Sequence, residues 1–187
     1  EIELGGAGPL TASHLRDAHR AGPLKGVLFA SPANPTGAIV PQDDLVELLA
    51  TARELGIAAI SDEIYHRLAY SAPDVTALAF DSGCTVINSF SKYYCMTGWR
   101  IGWMVVPEAL VRPVERIQQS LYISAPELSQ IAAAEAFSAT AELELVKQRY
   151  AHNRTFLMES LPSLGFRLAA PMDGAFYAYC DVSALTN

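Results

Sequence analysis

Cysteine, lysine and long apolar runs are all scarce in this sequence. The three cysteines, Cys84, Cys95 and Cys180, are odd in number and show no CxxC spacing, so neither a disulfide framework nor a zinc site is indicated. Three reduced thiols favour a reducing, cytoplasmic setting. The longest apolar runs have the length of strands, too short to cross a bilayer, and the first residues do not resemble a secretory signal.

Positive charge is also in deficit. There are 13 Lys and Arg residues against 20 Asp and Glu, a net charge of −7, whereas nucleic acids and anionic membranes need a basic face. Neither partner is therefore expected. The 187 residues are enough to bury a substantial core. The chain starts at Glu1 without an initiator methionine and stops directly after a strand-like run, as expected for processed ends or for a fragment.

Short apolar runs alternate with helix-like segments in the first part of the chain. Strands are predicted at residues 25–30, 57–60, 85–88 and 101–106, with helices at 11–20 and 41–55. Buried strands separated by helices predict an α/β fold, a mostly parallel sheet with helices on both faces. The last strand has no obvious room for a crossover helix before it, so it could run antiparallel at or near an edge.

The pattern changes in the second part. Residues from 108 onward are predicted to be helical with a break around 124–126, and a long amphipathic helix is predicted over 143–161. Two strands, at 166–169 and 175–180, are then predicted around a turn at 172–174. This change places a domain boundary inside the long helix. Residues 1–142 would belong to a larger domain, and residues 143–187 would begin a smaller α+β domain.

Polar clusters follow three of the predicted strands directly, at residues 31–37, 62–65 and 89–92. Ligands of open parallel sheets bind beyond the carboxyl ends of the strands, so three such clusters predict a site there.

The distribution of lysine singles out Lys92. Lys25 lies at the opposite end of its strand, and Lys147 lies among Glu142 and Glu144 on a helix, as a solvated side chain would. Lys92 follows a buried strand and has aromatic neighbours, where poor hydration favours the neutral, nucleophilic amine. Alternatively, its stem packs on the aromatic rings and its ammonium stays in water. Spacing alone leaves both interpretations open.

Three segments, read in order, resemble the signature blocks of the class I/II, fold type I aminotransferases, which depend on pyridoxal 5′-phosphate. The segments are SPANPTG at 31–37, DEIY at 62–65, and SFSK at 89–92 continuing to MTGWRIGW at 96–103. Each block is weak alone, but their order and separations together are a strong signal. The segment GAFY at 174–177 is similar to part of the family's smaller domain.

The resemblance implies a role for each matching residue. Lys92 would hold the cofactor as a Schiff base and carry a proton between the substrate α-carbon and the cofactor. Asp62 would pair with the pyridinium nitrogen, and Tyr65 would donate to the phenolic oxygen of the ring. The alternatives are a turn cap for Asp62 and a core position for Tyr65.

The remaining matches concern the substrate and the phosphate. Asn34 would lie beside the ring oxygen and reach the substrate carboxylate, with a cis peptide bond to Pro35; its alternative is a turn-forming asparagine. Ser89 and Arg100 would hold the phosphate, and Ser91 could add a contact, although it could equally cap the strand locally. His66 is interpreted as a packing or surface residue, and Trp99 and Trp103 are interpreted as core.

The resemblance also implies that residues 1–187 are the middle of a longer enzyme that is a homodimer when full length. The phosphate-cradling loop and the ring-stacking aromatic residue would lie upstream, and the arginine for the substrate carboxylate downstream. The implied activity moves an amino group from an α-amino acid to a 2-oxo acid. Alternatives are a carbon–sulfur β-lyase with the same cofactor, a non-catalytic aminotransferase-like regulatory module, and an inactive relic. No metal is implied.

Overall fold

The computed structural model describes residues 2, 4, 6 and 8–185. Over these residues the chain forms five α-helices and six β-strands, joined by turns and loops. In chain order they are α1 (Ala12–Ala21), β1 (Gly26–Ala30), α2 (Gln42–Glu54), β2 (Ala58–Asp62), β3 (Thr85–Ser89), β4 (Gly102–Val105), α3 (Glu108–Leu121), α4 (Glu127–Ala136), α5 (Thr140–Ser160), β5 (Arg167–Leu168) and β6 (Cys180–Asp181).

The first four strands form one sheet in the order β1-β2-β3-β4. The pairs β1–β2 and β2–β3 are parallel, and β4 pairs antiparallel with β3. The predicted α/β fold with a mostly parallel sheet is therefore confirmed. The antiparallel strand at the edge is also confirmed for the described part of the chain. Its direction follows from the connection, because residues 90–101 fold into turns and contain no crossover helix.

Helices α1 and α2 cover one face of the sheet. Helix α2 buries one apolar stripe, formed by Leu45, Leu48, Leu49 and Ala52. This stripe belongs to the same core as Val27 and Phe29 of β1. Full burial of each large apolar side chain is worth about 1.5–3 kcal/mol. Leu28, which points to the opposite face of β1, is 65% exposed, so that face lacks a cover there in the described structure.

The helix boundaries can be compared with the sequence predictions, and for α1 a capping residue explains the start. Thr11 caps α1, because its hydroxyl accepts a hydrogen bond from the His14 amide. The predicted break near 124–126 separates α3 from α4. Helix α5 contains the position proposed as the domain boundary, three residues after its start at Thr140.

The predicted hairpin at the end of the chain is only partly correct. Strands β5 and β6 pair antiparallel but have two residues each, and the residues predicted as a strand from 175 onward are extended only at 180–181. Tertiary hydrogen bonds explain the difference, because Gly174 N donates to the Gly37 carbonyl (2.8 Å) and Ala175 N to the Leu68 carbonyl (2.8 Å). Residues 173–177, here called the docked segment, thus bind the larger sheet's loops.

None of the helices formed by the described residues is both long and apolar enough to pass through a lipid bilayer.

Candidate active site

The three polar clusters predicted from the sequence begin side by side at one end of the sheet. Ala30 pairs with Asp62 across β1 and β2, and Asp62 pairs with Ile87 across β2 and β3. Beyond these pairs, Ser31 N donates to the Asp62 carbonyl (3.2 Å) and Glu63 N to the Ile87 carbonyl (2.8 Å). The carboxyl ends of the parallel strands are therefore tied together at the point where the site residues emerge.

Asp62 is half-buried at the end of β2. Its Oδ1 accepts a hydrogen bond from Ile64 N (3.0 Å), so the carboxylate does cap the turn that follows the strand. Among the described residues no hydrogen bond uses Oδ2, which stays available for a cationic partner. Capping and ligand binding are therefore compatible for this residue.

Tyr65 is buried, with 3% of its surface exposed. Burial raises the pKa of its phenol well above the usual range, and the hydrogen bond with Tyr177 and the negative charge of Asp62 raise it further. Tyr65 is consequently a protonated hydrogen-bond donor at any physiological pH.

The amine of Lys92 lies against aromatic rings. Its Nζ is 5.6 Å from the ring centroid of Tyr65 and 5.6 Å from that of Phe176. Among the described residues Lys92 forms no ion pair with a carboxylate. The Lys92 amine therefore lies beside two aromatic rings and has no carboxylate counter-ion among the described residues, a setting that suits a nucleophilic lysine.

Hydroxyl groups and one guanidinium organise the loop after β3. Ser89 Oγ lies 3.0 Å from Ser91 Oγ, and it also accepts from Ser91 N (3.1 Å). Thr97 Oγ1 donates to the Ser91 carbonyl (2.6 Å), and Arg100 Nη1 donates to the Thr97 carbonyl (3.1 Å). Arg100 adopts a left-handed backbone conformation with φ of 52°. Thr97, which was not predicted as a site residue, thus connects the two serines to the arginine.

Asn34 lies exposed in the loop after β1, and no hydrogen bond of the described residues uses its side chain. The Asn34–Pro35 peptide bond is cis, as predicted, and the Ser31–Pro32 bond is cis as well. The other end of this loop is in tight contact with the docked segment, since a Cβ on Gly37 would lie 2.7 Å from the Gly174 carbonyl oxygen.

Two residues of the docked segment lie at the site although the sequence predicts no site role for them. The Phe176 ring packs on Tyr65 with centroids 5.5 Å apart, and the Tyr177 hydroxyl is hydrogen-bonded to the Tyr65 hydroxyl. The sequence pattern places the GAFY block only in a predicted hairpin. Its aromatic pair next to a glycine was the available signal, but 112 positions separate Tyr177 from Tyr65, so no local pattern links them.

The structure agrees with the interpretation of His66 as a packing residue but not with the interpretation of Trp99 as a core residue. His66 Nδ1 lies 3.3 Å from Glu63 Oε2, as expected for a packing histidine. Trp103 is half-buried and packs edge-on against Phe90 (4.8 Å between centroids). The prediction that Trp99 lies in the core is wrong, because the residue is 42% exposed. Trp99 ends the short turn Thr97–Trp99, where its amide donates to the Met96 carbonyl (3.1 Å) and its carbonyl accepts from Ser129 Oγ (2.9 Å).

Comparison with known proteins identifies the protein family of this chain. The family described as aminotransferase class I and II matches residues 10–187, and the chain belongs to it. Members of this family depend on pyridoxal 5′-phosphate. The solved structure of an aminotransferase from Mycobacterium tuberculosis has a TM-score of 0.89 and 45% identity over 95% of this chain and 46% of that chain.

Two relatives are similar in sequence. The valine–pyruvate aminotransferase of Mycobacterium tuberculosis is 46% identical over 88% of this chain and 44% of its own length. The aspartate aminotransferase of Streptomyces avermitilis is 34% identical over 90% of this chain and 43% of its own length. The chain thus spans less than half the length of these relatives.

The donor set fits the family's cofactor. An amine that can bind an aldehyde (Lys92), a carboxylate oxygen available to a ring nitrogen (Asp62) and a buried phenol (Tyr65) lie at one edge of the sheet, next to paired serine hydroxyls. Each group matches one functional group of pyridoxal 5′-phosphate in charge and hydrogen-bonding character.

Proposed function

We propose that this chain carries the cofactor-binding core of an aminotransferase that moves an amino group from an α-amino acid to a 2-oxo acid. The observation that carries the proposal is the Lys92 amine, which lies 5.6 Å from the buried Tyr65 ring and makes no ion pair among the described residues. The name of the relative from Mycobacterium tuberculosis makes valine and pyruvate the first substrate pair to test.

Pyridoxal 5′-phosphate supplies an aldehyde that condenses with amines and a ring that withdraws electrons from the substrate α-carbon. Lys92 Nζ would hold the aldehyde and would act as the group that carries a proton to and from the substrate α-carbon. Asp62 would keep the ring nitrogen protonated, and Tyr65 would donate to the phenolic oxygen. Asn34 would orient the substrate carboxylate.

Phosphate binding is assigned to the loop after β3. Ser89 and Ser91 offer hydroxyls 3.0 Å apart, and Arg100 offers a planar guanidinium that suits a phosphate group. The two serine hydroxyls are hydrogen-bonded to each other, and a bound phosphate would replace this hydrogen bond.

The full-length enzyme is proposed to be a cytoplasmic homodimer. Three free thiols, Cys84, Cys95 and Cys180, support a reducing compartment. We further propose a large domain that includes residues 1–142 and a small domain that begins at 143. The separate two-stranded sheet β5–β6 after α5 supports this division.

The first prediction concerns Lys92. In the enzyme that contains this chain, Lys92→Ala should lower the rate of transamination of valine with pyruvate by about 10²–10⁴-fold, because the proton carrier is lost. Borohydride reduction of the unmodified enzyme, followed by peptide mass spectrometry, should find the cofactor on Lys92. Lys25→Ala is the matched control, since Lys25 is exposed and precedes β1 at the far end of the sheet.

Full activity of the Lys92→Ala variant, or a label on Lys25 or Lys147, would refute the assignment. Production of pyruvate and a thiol from cystathionine without any 2-oxo acid acceptor would indicate a carbon–sulfur β-lyase instead.

A further inference from the structure

The hydroxyl of Tyr177 is hydrogen-bonded to the hydroxyl of Tyr65, which is the phenol assigned to the cofactor ring. Their rings meet edge to face, with centroids 5.5 Å apart and planes inclined by 72°. Tyr65 comes from the turn after β2, and Tyr177 from the docked segment. This contact therefore connects the far end of the chain to the inner wall of the site.

The hydrogen-bonding capacity of two phenols gives this contact a direction. Each hydroxyl has one proton to donate and two lone pairs that accept. If Tyr65 donates its only proton to the ring oxygen, the hydrogen bond between the tyrosines must be donated by Tyr177. Burial and the negative charge of Asp62 both raise the pKa of Tyr65, and this keeps that single proton in place.

We propose that Tyr177 is a positioning residue whose hydroxyl donates to Tyr65 and thereby directs the single Tyr65 proton at the phenolic oxygen of the cofactor. This inference rests on the proposed function of the site. Hydrogen bonds in a chain polarise one another, so the Tyr177 donor also makes Tyr65 a stronger donor. Tyr177 acts on the cofactor only through Tyr65.

The docked segment does not need the Tyr177 hydroxyl to stay in place. Gly174 N and Ala175 N donate to the Gly37 and Leu68 carbonyls, both at 2.8 Å. Tyr70 adds two hydrogen bonds at 2.8 Å, since its hydroxyl donates to the Ala175 carbonyl and its amide to the Asp173 carbonyl. Tyr177→Phe should therefore remove one hydrogen bond without releasing the segment.

Tyr70→Phe is the matched control. It deletes a tyrosine hydroxyl that also holds the docked segment, but it leaves the Tyr65–Tyr177 pair intact. A change seen in both variants would report docking of the segment, whereas a change seen only in Tyr177→Phe would report the contact with Tyr65.

The experiment is a pH titration of the cofactor-bound enzyme, followed by the absorbance of the bound pyridoxal 5′-phosphate, which reports protonation of the Lys92 nitrogen. A donor to the ring oxygen withdraws negative charge from the neighbourhood of that nitrogen and so lowers its pKa.

Tyr65→Phe should raise the pKa of the Lys92 nitrogen. Tyr177→Phe should raise it by a smaller amount, and Tyr70→Phe should leave it unchanged. In the double variant Tyr65→Phe/Tyr177→Phe, the pKa should equal that of Tyr65→Phe alone, because Tyr177 has no other route to the cofactor.

An unchanged pKa in Tyr177→Phe, an equal shift in Tyr70→Phe, or additive shifts in the double variant would each overturn the inference while leaving the proposed function intact. An unmodified enzyme that never acquires cofactor absorbance would refute both.

Discussion

At the scale of single residues, the most buried charge next to the site belongs to Glu63, which was not predicted to have a role. It is 2% exposed, and its Oε1 accepts from Ala77 N (2.8 Å) and from the hydroxyls of Ser61 and Thr76 (both 3.2 Å). Its Oε2 faces His66 Nδ1 at 3.3 Å. Glu63 thus ties the end of β2 to the turn Ala77–Ala79 and holds the backbone from which Asp62 and Tyr65 extend.

We predict that Glu63→Ala lowers the free energy of unfolding by about 1–3 kcal/mol for each buried donor left without an acceptor. Glu47→Ala is the control, because Glu47 is exposed and its contact with Arg16 is at 4.0 Å, so a change within about 0.5 kcal/mol is expected. Urea unfolding measures both variants. Equal stability of the two variants would contradict the anchoring role of Glu63.

At the scale of elements, the docked segment depends on a glycine. A Cβ on Gly174 would lie 2.6 Å from Pro32 Cγ, 2.8 Å from Pro32 Cβ and 3.0 Å from the Leu68 carbonyl oxygen. These are ring and backbone atoms that cannot turn away as a flexible side chain could. The close approach of three loops therefore leaves no space for a side chain at this position.

We predict that Gly174→Ala costs about 1–3 kcal/mol of overpacking and loosens the segment. The Ala175 amide, which donates to Leu68, should then exchange its hydrogen with solvent faster. Gly22→Ala serves as the control, because nothing lies within 4 Å of a Cβ there. Unchanged exchange at Ala175 in Gly174→Ala would show that the segment accommodates a methyl group and that its docking is not controlled by this contact.

At the scale of the whole molecule, apolar side chains stay exposed on α3, α4 and the loop between them. Leu121, Ile123 and Leu128 are 74%, 77% and 69% exposed. Large apolar side chains this exposed, concentrated in one stretch of the chain, indicate a surface that other parts of a chain or a partner cover.

We predict that the full-length enzyme sediments as a homodimer with a buried interface of more than about 1,000 Å² in total. Sedimentation velocity over a range of concentrations measures the state directly. A single monomeric species at every concentration would contradict the prediction.

The sequence by itself determined the order of the main strands and helices and made Lys92 the candidate reactive amine. Side-chain periodicity encodes local structure, so the strands from β1 to β4 and the helices could be predicted. The short connection before β4 indicated the antiparallel edge, and the scarcity of lysine singled out one amine. Only the tertiary structure decided which residues surround that amine. Tyr177 meets Tyr65 across 112 residues and the docked segment exchanges its strand hydrogen bonds for contacts with Gly37 and Leu68. Such contacts depend on how distant elements pack, and no periodic pattern along the chain records them.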